Sequence, residues 1–229
     1  MVIAVNTRLL LKGKLEGIGW FTLETLKRMT VSHPEHHFIF IFDRPFNQEF
    51  IFAENITPVV IGPPTRHPVL WYYWFEFQIP RVLKKYKANL FLSPDGYLSL
   101  RTNVPQLAVI HDINFVHRPA DLPWLKAKYY NYYFKKFAKE SKRIATVSFY
   151  SKEDITRSFK VDYDKIDVVY DGINQIFTPT SVEEQAAARG KYTAGMPYFL
   201  FVGALHPRKN VSGLLRAFDA FKSVNGNQT

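Results

Sequence analysis

The chain has 229 residues, of which 47% are hydrophobic, so it has enough apolar material for a packed core and disorder of the whole chain is not expected. It contains no cysteine, which excludes disulfides and thiolate metal sites and is consistent with a reducing cytoplasm. With 30 lysine and arginine residues against 20 acidic residues, the net charge of +10 predicts anionic partners such as phosphorylated small molecules, nucleic acid or an acidic membrane face.

Residues 2–11 predict a first strand and not a signal peptide, because no basic region precedes the apolar stretch and no small-residue cleavage site follows it. No apolar run approaches the roughly 18 residues that span a bilayer. We therefore expect a soluble or peripheral protein, cytoplasmic or bound at the inner face of the cytoplasmic membrane.

Apolar, strand-like runs alternate with longer helical patterns along most of the chain. After residues 2–11, the predicted strands are "HFIFIFD", "ITPVVIG", "ANLFLSPDGY", "PQLAVIHDINF", "RIATVS" and "KIDVVYDGI". The predicted helices cover residues 17–30, 69–87, 122–142 and 151–159. Pro80 must kink or split the second of these helices.

Buried runs that alternate with helices indicate a doubly wound α/β domain with a mostly parallel sheet covered on both faces. Such sheets bind ligands at the carboxyl ends of their strands, so polar residues at those ends are the site candidates. We predict a Rossmann-like domain at residues 1–174 and a linker with one short helix at 175–197. A second domain would begin with a strand, a turn and a helix at 198–229.

The first candidate site is "EGIGWF", between the first strand and the first helix. Gly17 and Gly19 allow a ligand to approach the backbone, and the amides at a helix start favour an anion. The spacing is not that of the G-x-G-x-x-G dinucleotide fingerprint. A tight strand-to-helix turn without a ligand explains the same residues.

The second candidate is the pair His111 and Asp112, which ends the strongly apolar strand in "AVIHDINF". A histidine there can donate to a sugar hydroxyl, while Asp112 can orient the ring or cap a local turn. A structural pair at the strand end is the alternative. His117 has the wrong spacing for a metal set, and the sequence indicates no metal site.

Two further motifs also have structural explanations. In "TVSFYSKED", Ser148 or Ser151 can cap the following helix. In "HPRKN", Arg208 offers a planar fork of donors and Lys209 a compact charge, a combination suited to a diphosphate, although exposed basic turns are common.

Together and in order, these motifs resemble the family 4, or group 1, retaining glycosyltransferases, which have the GT-B fold of two facing Rossmann-like domains. The matching stretches are "EGIGWFTLETLKRM", "VIHDINFVHRPADLP", "ATVSFYSKEDITRSF", "KIDVVYDGIN" and "YFLFVGALHPRKNVSGLLRAF". The resemblance implies transfer of a hexose from a nucleotide diphosphate sugar to a glycan or lipid-linked acceptor, with retention and without a metal cofactor. "LHPRKN" resembles mannosyl-transferring members and favours GDP-mannose as donor.

The resemblance also assigns roles to residues. Gly17 and Gly19 would lie in the glycine-containing loop near the donor phosphates and the acceptor. His111 would be the histidine beside the transferred sugar. Arg208 and Lys209 would grip the diphosphate and neutralise the charge that develops on it as it leaves.

Two departures from the family pattern limit this assignment. Asp171 and Gly172 stand where the family often has Asn-Gly. The paired glutamates of the E-x7-E motif would lie beyond residue 229. We therefore expect the acceptor-side domain with the first part of a donor-side domain, without transfer activity of its own.

Two segments mix aromatic and basic residues: "WYYWFEFQIPRVLKKYK" and "WLKAKYYNYYFKKFAKESKR". A core stripe with a solvated basic face is the structural interpretation, and attraction to anionic lipid head groups is the functional one. The alternatives are a basic nucleic-acid-binding module and a non-catalytic glycan-binding module. Since no helix-turn-helix, zinc finger or RNP-type motif is evident, we do not expect nucleic acid as the partner.

Overall fold

The computed structural model describes residues 1–173 and 177–225. The chain divides into two compact units, residues 1–172 and 173–229. The domain boundary predicted between residues 174 and 175 lies outside the described residues.

The first unit is built on one parallel sheet, which confirms the predicted doubly wound α/β class. Its strands are β1 (Val2–Asn6), β2 (His37–Phe42), β3 (Ile56–Val60), β4 (Leu90–Ser93), β5 (Gln106–Val109), β6 (Arg143–Thr146) and β7 (Ile166–Val168). Their order is β3-β2-β1-β4-β5-β6-β7, and each neighbouring pair is parallel. After β1, the chain therefore adds β2 and β3 on one side of β1, and β4 to β7 then follow on the other side.

Both faces of the sheet are buried, and the alternation along β2 shows why. Phe38, Phe40 and Phe42 pack with helix α1 (Gly17–Ser32), whereas Ile39 and Ile41 belong to the core on the opposite face. Side chains point to alternate faces of a strand, so an apolar run without polar gaps can fill two cores at once.

Helices cover the second face of the sheet. They are α2 (Pro68–Tyr73), α3 (Ile79–Lys85), α4 (Asn114–His117), α5 (Trp124–Glu140) and α6 (Phe149–Phe159). A π-helical turn, Trp74–Gln78, joins α2 to α3. The predicted helix at 69–87 is thus split, as expected from Pro80, which has no backbone N–H to donate.

The aromatic residues of the first aromatic–basic segment lie largely in the core. Trp74 and Phe75 are fully buried, and Trp71 stacks on Tyr130 of α5 with ring centroids 5.7 Å apart. Tyr97, which follows β4, joins the same cluster through Phe75 at 5.0 Å. The structural interpretation of this segment is therefore correct for these rings.

The second unit contains two helices, α7 (Val182–Thr193) and α8 (Val211–Asn225). The strand predicted at the start of residues 198–229 is wrong for this structure: residues 198–202 are irregular and largely exposed. A strand needs a neighbour to pair its N–H and C=O groups. Within the described residues of this unit, Phe199 packs against Phe218 and Phe221 of α8, and no strand pairs with it.

Candidate functional site

The candidate site lies at the carboxyl ends of β1, β4 and β5, where the strand order reverses. In open α/β sheets this reversal leaves a crevice between two neighbouring strands, here β1 and β4. Asn6 ends β1 and donates from Nδ2 to Ser93 Oγ at 3.1 Å and to Asp95 Oδ1 at 2.7 Å. The ends of the two strands are thus joined by side-chain hydrogen bonds.

A buried ion pair lies beside this junction. Arg8 Nε donates to Asp95 Oδ2 at 2.7 Å, and their side chains are only 8% and 5% exposed. The guanidinium carbon lies 4.2 Å from the centroid of the Tyr97 ring, and Nη1 donates to Thr65 Oγ1 at 3.2 Å. Burial lowers the pKa of Arg8, but its interactions with Asp95 and Tyr97 outweigh that effect and the net pKa is raised.

The network continues to the end of β2 through Thr65. Both the backbone N–H and the hydroxyl of Thr65 donate to Asp43 Oδ2, at 2.6 and 2.5 Å. Burial alone would raise the pKa of the Asp43 carboxyl, but hydrogen bonds from Arg44 and Thr65 hold it below its usual value. The ends of β1, β2 and β4 are therefore fixed by one chain of charged and polar contacts.

His111 follows β5 and is half-buried, and its ring is held from two sides. Nε2 lies 2.9 Å from the carbonyl oxygen of Pro94, which can only accept, so Nε2 carries the proton. The edge of the ring meets Phe21 of α1, with centroids 4.9 Å apart and planes at 89°. The ring polar atom left for a ligand is Nδ1. In a neutral imidazole with the proton on Nε2, Nδ1 can only accept a hydrogen bond.

The turn that presents the Pro94 carbonyl depends on a glycine. Gly96 has φ +80°, and its N–H donates to the Ser93 carbonyl at 3.2 Å. A Cβ at this position would lie 3.0 Å from Phe134 Cε1 and 3.2 Å from the Val109 carbonyl oxygen. Backbone conformation and space therefore both require glycine here.

Asp112 caps a local turn, one of the two roles considered for it. Its Oδ1 accepts from the backbone N–H of Asn114 at 3.0 Å, and the residue is exposed. The ring of His111 is held by Pro94 and Phe21. A catalytic contribution from Asp112 stays a prediction.

Gly17 and Gly19 lie in the first turn of α1 and not in a loop before it. A Cβ on Gly19 would lie 3.1 Å from both Leu15 Cδ2 and the Leu9 carbonyl oxygen, so this glycine accommodates the chain's own preceding segment. A Cβ on Gly17 would meet nothing within 4 Å. The space beside Gly17 is therefore open, and Glu16 at the N-cap makes no side-chain hydrogen bond to the helix start.

Arg208 and Lys209 lie in the second unit, in the 3-10 turn Pro207–Lys209, and both are exposed. His206 shapes the turn by accepting from the Arg208 N–H at Nδ1, 3.2 Å away. Asn210, with φ 48°, then leads into α8. The basic pair is therefore presented directly before a helix start.

Two other sequence candidates have structural roles. Ser148 caps α6 by accepting from the Ser151 N–H at 3.1 Å. His117 Nε2 lies 2.8 Å from Asp154 Oδ2, which joins α4 to α6. Arg8 and Asp95 were missed in the sequence, where the only signal was the placement of each residue just after an apolar strand.

Helix α5 presents a row of exposed aromatic and basic side chains spaced four residues apart: Trp124, Lys128, Tyr132 and Lys136, which we call the α5 stripe. Lys128 Nζ lies 4.0 Å from the centroid of the Trp124 ring, and Lys136 Nζ lies 4.0 Å from that of Tyr132. The inner face of α5 buries Ala127, Tyr129, Phe134, Phe137 and Ala138. The core stripe predicted for this helix consists of Leu122, Leu125, Tyr129, Tyr133 and Phe137. Tyr129 and Phe137 are buried and Leu122 and Tyr133 are partly buried, whereas Leu125 is exposed.

Among the residues that the structure describes, no helix combines the length and the apolar character needed to cross a bilayer.

Comparison with known proteins places these features in a family. A profile of Glycosyltransferase Family 4 matches residues 16–177. O-antigen chain mannosyltransferase B of Escherichia coli is 27% identical over 220 residues, which cover 91% of this chain and 57% of that protein. O-antigen chain mannosyltransferase RfbU of Salmonella typhimurium strain LT2 is 27% identical over 150 residues, which cover 65% and 38% of the two chains.

A solved structure extends the likeness to the fold. Anabaena Alr3699/HepE in complex with UDP and glucose matches with a TM-score of 0.58 at 12% identity, covering 95% of this chain and 57% of that one. The chain thus spans about half the length of the relatives it matches. Because the profile covers most of the chain and confirms the resemblance seen in its motifs, the protein belongs to glycosyltransferase family 4.

Proposed function

We propose that the protein serves the transfer of a hexose, with mannose favoured, from a nucleotide diphosphate sugar to a hydroxyl of a glycan or lipid-linked acceptor, with retention of configuration. The observation that carries this proposal is the contact between His111 and Phe21, which brings the end of β5 and the amino-terminal part of α1 together near the strand reversal. The family membership and the two O-antigen mannosyltransferase relatives support the reaction class and the sugar.

The proposed roles follow from the chemistry of each group. His111 contacts a sugar hydroxyl through Nδ1, since Nε2–H is engaged by Pro94. Gly17 leaves space for the acceptor or for donor phosphate at the helix start. Arg208 and Lys209 bind the diphosphate and stabilise its developing charge as the sugar departs. Two cations at that position supply the charge that a metal would otherwise supply, so we propose a reaction without a metal.

Backbone amide shifts in NMR titrations test these roles on the chain as it stands. We expect methyl α-mannoside to shift the signals of His111 and the first turn of α1, and GDP-mannose to shift those of Arg208 and Lys209. His111→Ala should abolish the first effect, whereas His37→Ala, at the opposite end of the sheet, should leave it intact. Shifts that avoid both sites would contradict the proposal, and loss of the GDP-mannose shifts in EDTA would contradict the metal-free mechanism.

The chain on its own is proposed to lack transfer activity, because no glutamate follows Lys209 in its sequence, where the resemblance would place the pair. Release of GDP or UDP from a panel of nucleotide sugars, with mannosides as acceptors, measures this directly. No release above the rate without protein is expected. Sustained release that depends on His111 would show that the chain is active by itself.

We also propose that the α5 stripe binds an anionic bilayer surface. Exposed Trp and Tyr suit the head-group region, and the lysines of the stripe carry the complementary charge. Further exposed lysines on or just after α5, at Lys135, Lys139 and Lys142, extend the basic surface. A lipid-linked acceptor would be reached from this position.

Sedimentation with phosphatidylglycerol-containing vesicles tests the surface. Each lysine near an anionic bilayer contributes about 1 kcal/mol, so Lys128→Glu/Lys136→Glu should weaken binding by at least about 30-fold. Lys84→Glu/Lys85→Glu on α3 makes the same charge change elsewhere and should have a smaller effect. Salt-sensitive binding of oligonucleotides in preference to these vesicles would instead favour the nucleic-acid alternative.

A further inference from the structure

The turn between α1 and β2 carries an unusual sequence, "HPEHH", at the amino end of the sheet. This edge is opposite the carboxyl ends of the strands, where the candidate site lies. Three side chains of the turn converge: His33, Glu35 and His36. None of them has a role in the transfer reaction proposed above.

The ligand atoms of these side chains have the spacing of a metal site. Glu35 Oε1 lies 3.2 Å from His33 Nδ1 and 3.4 Å from His36 Nδ1, and one possible ligand atom of each side chain lies within 4.8 Å of those of the other two. Zinc bonded to imidazole nitrogen and carboxylate oxygen at 2.0–2.1 Å in a tetrahedron separates its ligands by about 3.3 Å. Two of the three separations therefore already match the edge of that tetrahedron.

One of these atoms lacks a hydrogen bond. His36 Nδ1 is buried from solvent and makes no hydrogen bond in the part of the chain that the structure describes. A buried polar atom without a partner costs free energy, so such atoms call for a ligand or another explanation. Glu35 Oε1 lies 3.4 Å from His36 Nδ1 without a hydrogen bond between them. A metal ion placed between these two atoms could bond to both.

The backbone of the turn is fixed by a residue outside it. Asn55 Nδ2 lies within hydrogen-bond distance of the carbonyl oxygens of Thr30 at 3.0 Å, His33 at 3.2 Å and His36 at 3.0 Å, and its two hydrogens are shared among the three. The two histidine rings stack with centroids 5.5 Å apart and planes at 17°. A turn held in this way binds an ion at a lower entropic cost than a mobile one. Because the side chains of His33 and Glu35 are more than half exposed, an ion can reach the site.

We propose that His33, Glu35 and His36 bind one Zn²⁺ ion, with water as the fourth ligand. Two imidazoles and a carboxylate are nitrogen and oxygen donors of the kind that zinc accepts in proteins. The ion would clamp the end of α1 to the start of β2 and would stabilise the first unit.

Calorimetric titration of the EDTA-treated, desalted chain with ZnCl₂ tests the proposal. We expect one ion per chain, a raised melting temperature, and intense visible absorption from tetrahedral Co²⁺ as a substitute. His36→Ala and, separately, the exposed Glu35→Gln should each weaken zinc binding at least tenfold. His37→Ala, which removes a histidine bonded to Thr57 and outside the set, should bind as tightly as the unchanged chain.

Circular dichroism confirms that each variant is folded before its titration. The proposal is overturned by the absence of stoichiometric binding in the unchanged chain. It is equally overturned if zinc affinity survives both His36→Ala and Glu35→Gln, or if His37→Ala alone removes it.

Discussion

Replacing Arg8 by methionine would test whether the buried ion pair stabilises the edge of the sheet that carries the candidate site. Methionine keeps most of the apolar stem but removes the donors to Asp95 and Thr65. The carboxylate of Asp95 would then be left buried with Asn6 and Ser93 as its donors among the described residues. Breaking a buried pair in this way costs about 3–5 kcal/mol of the free energy of unfolding. For a unit of this size, that loss lowers the melting temperature by about 6–20 °C.

Urea unfolding followed by tryptophan fluorescence measures the change in a double-mutant cycle. Arg8→Met/Asp95→Asn removes both charges, and its loss should be smaller than the sum of the two single losses by about 2 kcal/mol or more. The control is Arg143→Met, which breaks the exposed pair with Asp167 and should cost far less stability than Arg8→Met, because solvent screens an exposed pair. Equal losses for Arg8→Met and Arg143→Met, or strictly additive effects in the cycle, would refute the reasoning.

Three further predictions concern single positions. Gly19→Ala should destabilise the chain by about 1–3 kcal/mol in urea unfolding because its Cβ meets the Leu9 carbonyl oxygen. Gly17→Ala should leave stability unchanged or raise it by up to about 1 kcal/mol. Equal effects of the two substitutions would contradict the packing described. Burial raises the pKa of the Glu76 carboxyl, so its contribution favours folding below the ordinary glutamate pKa and is lost as the pH rises through the raised value. The stability of Glu76→Gln relative to the unchanged chain should therefore be higher at pH 8 than at pH 4, and thermal melts in which this difference does not change with pH would contradict the reasoning. Ser148→Ala should lower the free energy of unfolding by about 1 kcal/mol because α6 loses its N-terminal cap. An unchanged urea midpoint would show that the cap does not stabilise the fold.

The fold of the first unit could be predicted because its strands and helices each leave a recognisable pattern within a short stretch of sequence. In a strand such as "HFIFIF", alternate side chains enter the cores on the two faces of the sheet, whatever the rest of the chain does. Pro80 likewise disrupts regular helix through its own missing N–H, independently of what the helix packs against. The proximity of His111 to α1 followed from the rule that ligand residues gather at the carboxyl edge. The Arg8–Asp95 pair could not be predicted, because its members are 87 residues apart and neither has a distinctive neighbourhood in the sequence.

Residues 198–202 have the composition of a strand, but a strand forms only where another one pairs with it. The outcome therefore depends on contacts with other parts of the chain, which the local composition does not contain. Gly17 and Gly19 begin α1, in agreement with the helix predicted at residues 17–30, whereas the family resemblance places them in a loop.

Gly96 has a mechanical consequence for the first unit. With no side chain of its own, it lets Phe134 of α5 rest almost directly on the turn whose Pro94 carbonyl holds His111. The outer side of the same helix carries the α5 stripe. A displacement of α5 would therefore reach the turn, and through the Pro94 carbonyl the His111 ring, by way of the rigid ring of Phe134.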